Sequence, residues 1–215
     1  TSLLYREIVK AFQSNLSAYR DEDFPEMFIH NLPIPDIMDG IEREDDVKRM
    51  LSHSTHILEQ AGSDLIVFPC NSLNYFIDYL LSQTDVPILS IVEETSKKIK
   101  EKDYNEVLLL STPTTFDKGL YHKYLDGTSI IRPQNYSRIL EVIVKTLKGE
   151  SPLDEFRGMI ETDYREYEHI VIGCTDLSVL ANGYRNSRLI DSTRCLADAV
   201  CLNCTYGETK NKPGE

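Results

Sequence analysis

The sequence predicts an α/β protein with parallel sheets flanked by helices, arranged as two pseudo-symmetric domains around a cleft. Three observations carry this. Short β-branched apolar runs alternate with helical patterns along the whole chain, the signature of parallel sheets. Two of these runs match: Asp64-Leu65-Ile66-Val67-Phe68-Pro69-Cys70-Asn71-Ser72 and Glu168-His169-Ile170-Val171-Ile172-Gly173-Cys174-Thr175-Asp176. Each has an acidic residue, an apolar run, a breaker, a cysteine and small polar residues, and each precedes a helical pattern. Finally, Leu4-Tyr5-Arg6 is similar to Leu120-Tyr121-His122, which extends the internal repeat.

In order, Leu4, Ile8, Phe12 and Leu16 recur every four residues and predict an amphipathic helix from 2 to about 19, capped by Thr1 or Ser2. Met27–Leu32 reads as a strand stopped by Pro33-Ile34-Pro35-Asp36. A helix over Asp45–Ala61 ends at Gly62. The first cysteine strand and its helix, with Leu73, Phe76, Ile77 and Leu80 aligned, come next. Val86–Val92 predicts a strand, Glu93–Glu101 a charged helix, and Glu106–Leu110 a buried strand. The loop Ser111-Thr112-Pro113-Thr114-Thr115 leads to a helix around Leu120–Leu125 and a short strand over Thr128–Arg132. Helices over Tyr136–Leu147 and Leu153–Tyr167 precede the second cysteine strand and its helix. Arg188–Ile190 reads as a strand and Ser192–Cys204 as a helix. The tail 207–215 is polar and predicts frayed chain.

The repeat divides the chain into a first half, 1–91 plus 191–206, and a second, 92–190. The helix at Leu120 follows a strand and a Ser/Thr loop, and its counterpart at Leu4 follows neither. The repeat therefore predicts that the first sheet lacks a strand, at its N-terminal end.

The chain has 215 residues, enough to bury a real core. Its formal net charge is −12, without a long basic run, which argues against nucleic acid or an anionic membrane as partner. No apolar run approaches the roughly 20 residues of a membrane helix. Five cysteines, an odd number, without an export signal in Thr1–Leu16 fit a reducing, cytoplasmic setting.

Cys70 and Cys174 each fall where a strand ends and a helix begins, the place where open α/β sheets bind ligands. A helix N-terminus there favours thiolate. Two thiols on opposite faces of a planar carbanion take a proton from one side and return it on the other, which inverts a stereocentre without a cofactor. Holding the carboxylate and the developing charge calls for hydroxyl and amide donors. Asn71, Ser72, Thr112, Thr115 and Thr175 are the candidates.

The motifs Pro69-Cys70-Asn71-Ser72 and Gly173-Cys174-Thr175-Asp176 resemble those of the aspartate/glutamate racemase superfamily. Further matches are Ile34-Pro35-Asp36, Ile91-Val92-Glu93-Glu94-Thr95, Ser111-Thr112-x-x-Thr115 and Leu189-Ile190-Asp191. The resemblance is closest to the aspartate racemases and runs from near Thr1 to about Val200. It implies cofactor-independent racemisation of an amino acid, acidic by analogy, with one catalytic cysteine from each domain, no metal, and a homodimer. It also implies an initial strand and glycine-rich loop that this sequence does not contain. Ile37 stands where aspartate-selective members carry a basic residue, and Lys148 falls on a second basic position, as a candidate contact to substrate.

Simpler roles compete. Cysteine is often a small buried hydrophobe. Cys201 and Cys204 have C-x-x-C spacing but share one helical pattern with Cys195 and lack a second pair, so packing is the better reading. His53 and His56 read as polar surface, and Lys148 equally suits a helix C-terminus. Two other functions fit the same residues: a cis–trans isomerase or decarboxylase acting on a dicarboxylate, and a non-catalytic binding protein or inactive fragment.

Overall fold

In the computed structural model, residues 1–184 and 186–208 are described. The chain folds as α1 (Ser2–Leu16), α2 (Glu44–Gln60), β1 (Ile66–Phe68), α3 (Ile77–Leu81), β2 (Ile88–Ser90), α4 (Ile91–Glu101) and β3 (Glu106–Ser111). It continues as α5 (Pro113–Asp117), β4 (Ser129–Ile131), α6 (Tyr136–Leu147), α7 (Leu153–Gly158), β5 (Ile170–Gly173), α8 (Thr175–Ala181), β6 (Leu189–Asp191) and α9 (Ser192–Glu208). Strand and helix alternate as the periodicity predicts, and every strand pair is parallel.

There are two sheets. One is β1-β2; the other runs β4-β3-β5-β6. Both cysteine strands therefore lead into helices at the same end of their sheets. β5 is buried at every residue, with β3 on one side and β6 on the other. Its unbroken apolar run is what a strand covered on both faces requires. The largest apolar cluster draws Leu89 from the first sheet, Val107, Leu109 and Val171 from the second, and Ile8, Phe12, Ile99, Leu196 and Val200 from α1, α4 and α9. A second cluster lies between the larger sheet and α6, α7 and α8, and a third joins α2 and α3 to Phe68.

Several expectations need correction. Met27–Leu32 forms no strand. Residues 25–30 and β1 both line a cavity of about 410 Å³, and residues 27–32 make no backbone hydrogen bond to a neighbouring strand among the described residues. β2 is only Ile88–Ser90, because the Ser90 hydroxyl caps the next helix by accepting from the Glu93 amide at 3.1 Å, so α4 begins at Ile91. The helix placed at Leu120–Leu125 instead forms earlier, at Pro113–Asp117: Thr112 caps it through the Thr115 amide and Pro113 sits at its first position. Residues 120–124 are turns. After Cys70 the chain first makes a 3₁₀ stretch, Ser72–Phe76, and the segment after α7 is a π-turn, Met159–Asp163. Thr1 stands at the α1 N-cap, but no side chain caps that helix. Of the polar tail, 209–215 lies outside the described residues.

Gly173, at the end of β5, owes its identity to crowding. A Cβ built there would lie 2.6 Å from Leu109 Cδ1 and 3.4 Å from Ser111 Cβ. Leu109 is itself fully enclosed and has little room to move away. Gly173→Ala is expected to cost about 1–3 kcal/mol of stability as an overpacking substitution. Urea unfolding checks this; an unchanged midpoint would show that Leu109 yields freely.

Candidate active site

The Cys70 side of the site is set by the turn after β1. Cys70 is partly exposed and precedes Asn71 and Ser72, both buried. The Asn74 carboxamide donates to the Cys70 carbonyl at 2.6 Å, and the Ser90 hydroxyl donates to Asn74 in turn. This ties the cysteine turn to the end of β2.

On the other side, Cys174 is the buried N-cap residue of α8, with extended backbone, and Thr175 follows it half-buried at the helix start. Its thiol donates to Asp176 Oδ2 at 3.7 Å. Behind it, Ser178 Oγ donates to Asp191 Oδ1 at 2.7 Å, and the Thr193 amide donates to the same oxygen at 2.9 Å. Asp191 thereby joins α8, the end of β6 and the start of α9.

Hydroxyls join the two sheets' loops. Ser72 Oγ lies 2.7 Å from Thr112 Oγ1 and 3.1 Å from Thr115 Oγ1, and the two threonine oxygens are 3.1 Å apart. Tyr121 Oη donates to Asn71 Oδ1 at 2.7 Å, and Asn71 Nδ2 donates to Ser192 Oγ at 3.2 Å. Thr114 Oγ1 donates to the Ile37 carbonyl at 2.6 Å, which pins the Asp36–Asp39 loop onto the start of α5. The structure thus brings Asn71, Ser72, Thr112 and Thr115 into one buried polar seam next to Cys70.

Lys148 is not part of it. It is exposed at the C-terminal end of α6, and its side chain makes no hydrogen bond or ion pair among the described residues. The α6 residue beside Cys174 is Tyr136, whose ionisation the Cys174 charge opposes. Lys148 lies about 18 Å farther along the helix, at 1.5 Å per residue. Ile37 is buried in the apolar cluster of α2 and α3.

Burial decides the electrostatics. It pushes the Cys70 thiol up, above the opposing pull of the Leu73 and Ser72 amides, which favour thiolate. Burial also pushes Cys174 up, assisted by the Asp176 charge and by Cys70, against the amides of Asp176 and Leu177. The expectation that helix N-termini would lower both thiols is therefore corrected. The amides act in the expected direction, but desolvation of the charged form is larger. The charge of Cys70 adds to the upward push on Cys174, and that of Asp176 adds to the push on Cys70. Burial likewise holds the Asp176 and Asp191 carboxyls above the ordinary range.

Sequence reasoning missed Tyr121 and Ser192 as parts of this site. The only trace of Tyr121 was its place in the Leu-Tyr repeat. Among the described residues no group of three or more His, Cys, Asp or Glu side chains is arranged to hold a metal ion, and no helix is long and apolar enough to cross a membrane.

Comparison with known proteins identifies the family. The chain is 27% identical over 207 residues to the broad specificity amino-acid racemase RacX of Bacillus subtilis, covering 93% of this chain and 91% of that protein. It is 25% identical over 173 residues to the glutamate racemase of Aquifex pyrophilus, covering 74% and 65% of the two chains. In fold it is similar to an aspartate racemase from Picrophilus torridus, with a TM-score of 0.78, 21% identity, and 94% and 89% of the two chains covered. An aspartate racemase homologue from Pyrococcus horikoshii gives a TM-score of 0.72 at 22% identity, with 96% and 95% covered. The family model for Asp/Glu/hydantoin racemases matches residues 2–200. The chain therefore belongs to the Asp/Glu/hydantoin racemase family and is an amino-acid racemase, an isomerase.

Proposed function

We propose that the chain racemises α-amino acids by a two-thiol mechanism without a cofactor, with Cys70 and Cys174 as the two bases. The observation that carries this reading is the matched placement of the cysteines. Each follows a parallel strand, opens a helical turn, and feels the charge of the other side.

One thiolate removes the α-proton, and the opposite thiol donates a proton to the other face of the carbanion. The two sulfurs exchange protonation state, and no atom or electron is gained or lost overall. Burial keeps the thiols protonated in the empty site, so one thiol releases its proton to solvent as the substrate enters, and the substrate's ammonium group stabilises the thiolate left behind. Asn71, Ser72, Thr112, Thr115 and Thr175 supply donors for the carboxylate as negative charge builds on it.

Substrate breadth follows the broad specificity relative more closely than an aspartate-selective enzyme. Ile37 offers an apolar side chain where the resemblance implies a base, and Lys148 stands apart from the polar seam. Acidic amino acids are therefore expected among several substrates, not as a sole substrate.

The test is α-proton exchange of a panel of L- and D-amino acids in heavy water, followed by NMR. Exchange with inversion for several side chains is expected, and no exchange for any would remove the racemase reading. Because both thiols titrate above the ordinary value of about 8.5, kcat/KM should climb with pH from 7 to 9. A plateau reached below pH 8 would show that some group other than these thiols provides the base.

A further inference from the structure

The seam contains one buried residue that the two-thiol reading leaves without a role. Tyr121 is 1% exposed, within the turns that follow α5, and its hydroxyl donates to Asn71, the neighbour of Cys70, with Thr95 and Ser192 also in hydrogen-bonding reach. Asn71 is 3% exposed, and Ser192, its other partner, is fully buried.

The carboxamide of Asn71 has one acceptor oxygen and two N–H donors. Tyr121 donates to the oxygen and Ser192 accepts from the nitrogen. The two anchors come from opposite directions in the chain, one after α5 and one at the head of α9. A freely rotating amide presents oxygen or nitrogen to a ligand alternately. Held by a donor on its oxygen, this amide has its nitrogen assigned, and one N–H remains uncommitted among the described residues.

We infer that Tyr121 is a positioning residue: its hydroxyl fixes the Asn71 carboxamide so that the remaining N–H, not the oxygen, is offered to the substrate's carboxylate beside Cys70. The inference rests on the two-thiol reading for the place of the substrate. It goes beyond that reading in assigning a carbonyl-side anchor across the seam, which makes the donor at Asn71 depend on a residue that never meets the substrate. The short spacing of Cys70 and Asn71 means that loss of the anchor weakens substrate positioning at the first thiol and leaves both thiols intact.

Epistasis tests it. Tyr121→Phe keeps the ring in the core and removes only the hydroxyl. In the parent chain it should lower kcat/KM about 10-fold, the size expected for one lost hydrogen bond of about 1.4 kcal/mol, mostly through a higher KM. In an Asn71→Ala background the same change should have less than a 2-fold effect, because the group it positions is gone. Ser192→Ala, which removes the second anchor, should behave in the same way. A merely structural tyrosine predicts the opposite: equal losses in both backgrounds, tracking a lower melting temperature. Equal losses, or an unchanged kcat/KM in Tyr121→Phe, would overturn the assignment. Cys70→Ala on the same preparation reads the two-thiol mechanism separately: if it racemises at the parent rate, that mechanism fails whatever the Tyr121 result.

Discussion

Replacing Cys174 by serine is expected to abolish α-proton exchange from the L-amino acid and to lower net racemisation by about 10²- to 10⁴-fold, the usual contribution of a positioned general acid or base. The substitution is nearly isosteric, so the effect is chemical. A serine hydroxyl is far too weak an acid to be ionised near neutral pH, whereas a thiol, even one raised by burial, is much closer to that range. In the resembling family the second-half cysteine serves the L-enantiomer and the first-half cysteine the D-enantiomer. Cys70→Ser should therefore show the mirror result, with exchange lost from the D-form and some retained from the L-form. Single-enantiomer exchange in heavy water, read by proton NMR, distinguishes the two. If both variants exchanged both enantiomers at the parent rate, the base would be elsewhere, and an isomerase using another group would be the better reading.

The second large effect is on stability, at Asp191. Its carboxylate is almost completely buried and accepts from Ser178 Oγ and from the Thr193 amide. Asp191→Ala leaves the Thr193 amide without a partner, at about 1–3 kcal/mol, and leaves Ser178 only its longer 3.4 Å bond to the Cys174 carbonyl, so a loss of about 2–4 kcal/mol is expected. Asp191→Asn retains an oxygen that accepts both bonds and removes the charge, so it should stay close to the parent. The pH dependence separates the two effects. Burial raises the folded-state carboxyl above its unfolded value. The stabilisation linked to that shift is fully present below the unfolded value of about 3.9 and is lost as pH rises through the folded one. Denaturant melts should therefore show Asp191→Asn gaining on the parent between pH 3 and 7, while Asp191→Ala stays below both. A parallel pH response of parent and Asn variant would show that the carboxyl is not raised.

Both predictions depend on different kinds of information. The two Cys motifs, the α/β class and the parallel strands were legible because each rests on a local pattern: a buried strand announces itself as a β-branched run, and a breaker before a small polar cluster marks its end. Val107–Leu110 and Ile170–Ile172 carry that pattern in full, and the structure puts them side by side. Candidate donors were legible for the same reason, since Asn71, Ser72, Thr112 and Thr115 sit in the loops that such strands must have.

What the local pattern did not contain was the neighbourhood. Met27–Leu32 has strand-like residues, but a strand exists only with a hydrogen-bonding partner, and among the described residues this segment makes no backbone hydrogen bond to one. Lys148 has the right charge, but the straight run of α6 carries it away from Tyr136 and Cys174. The helix N-termini pull the thiols toward thiolate, as their sequence positions imply, yet the depth of burial reverses the sum, and depth is a property of the whole packed chain. Tyr121 reaches Asn71 from 50 residues away, a pairing without periodicity or motif to announce it. The sequence by itself determined where the buried β-branched strands run and which thiols stand at their ends, because those follow from near neighbours. Only the tertiary structure decided which polar groups meet and how much water the thiols lose, because both depend on contacts between residues far apart in the chain.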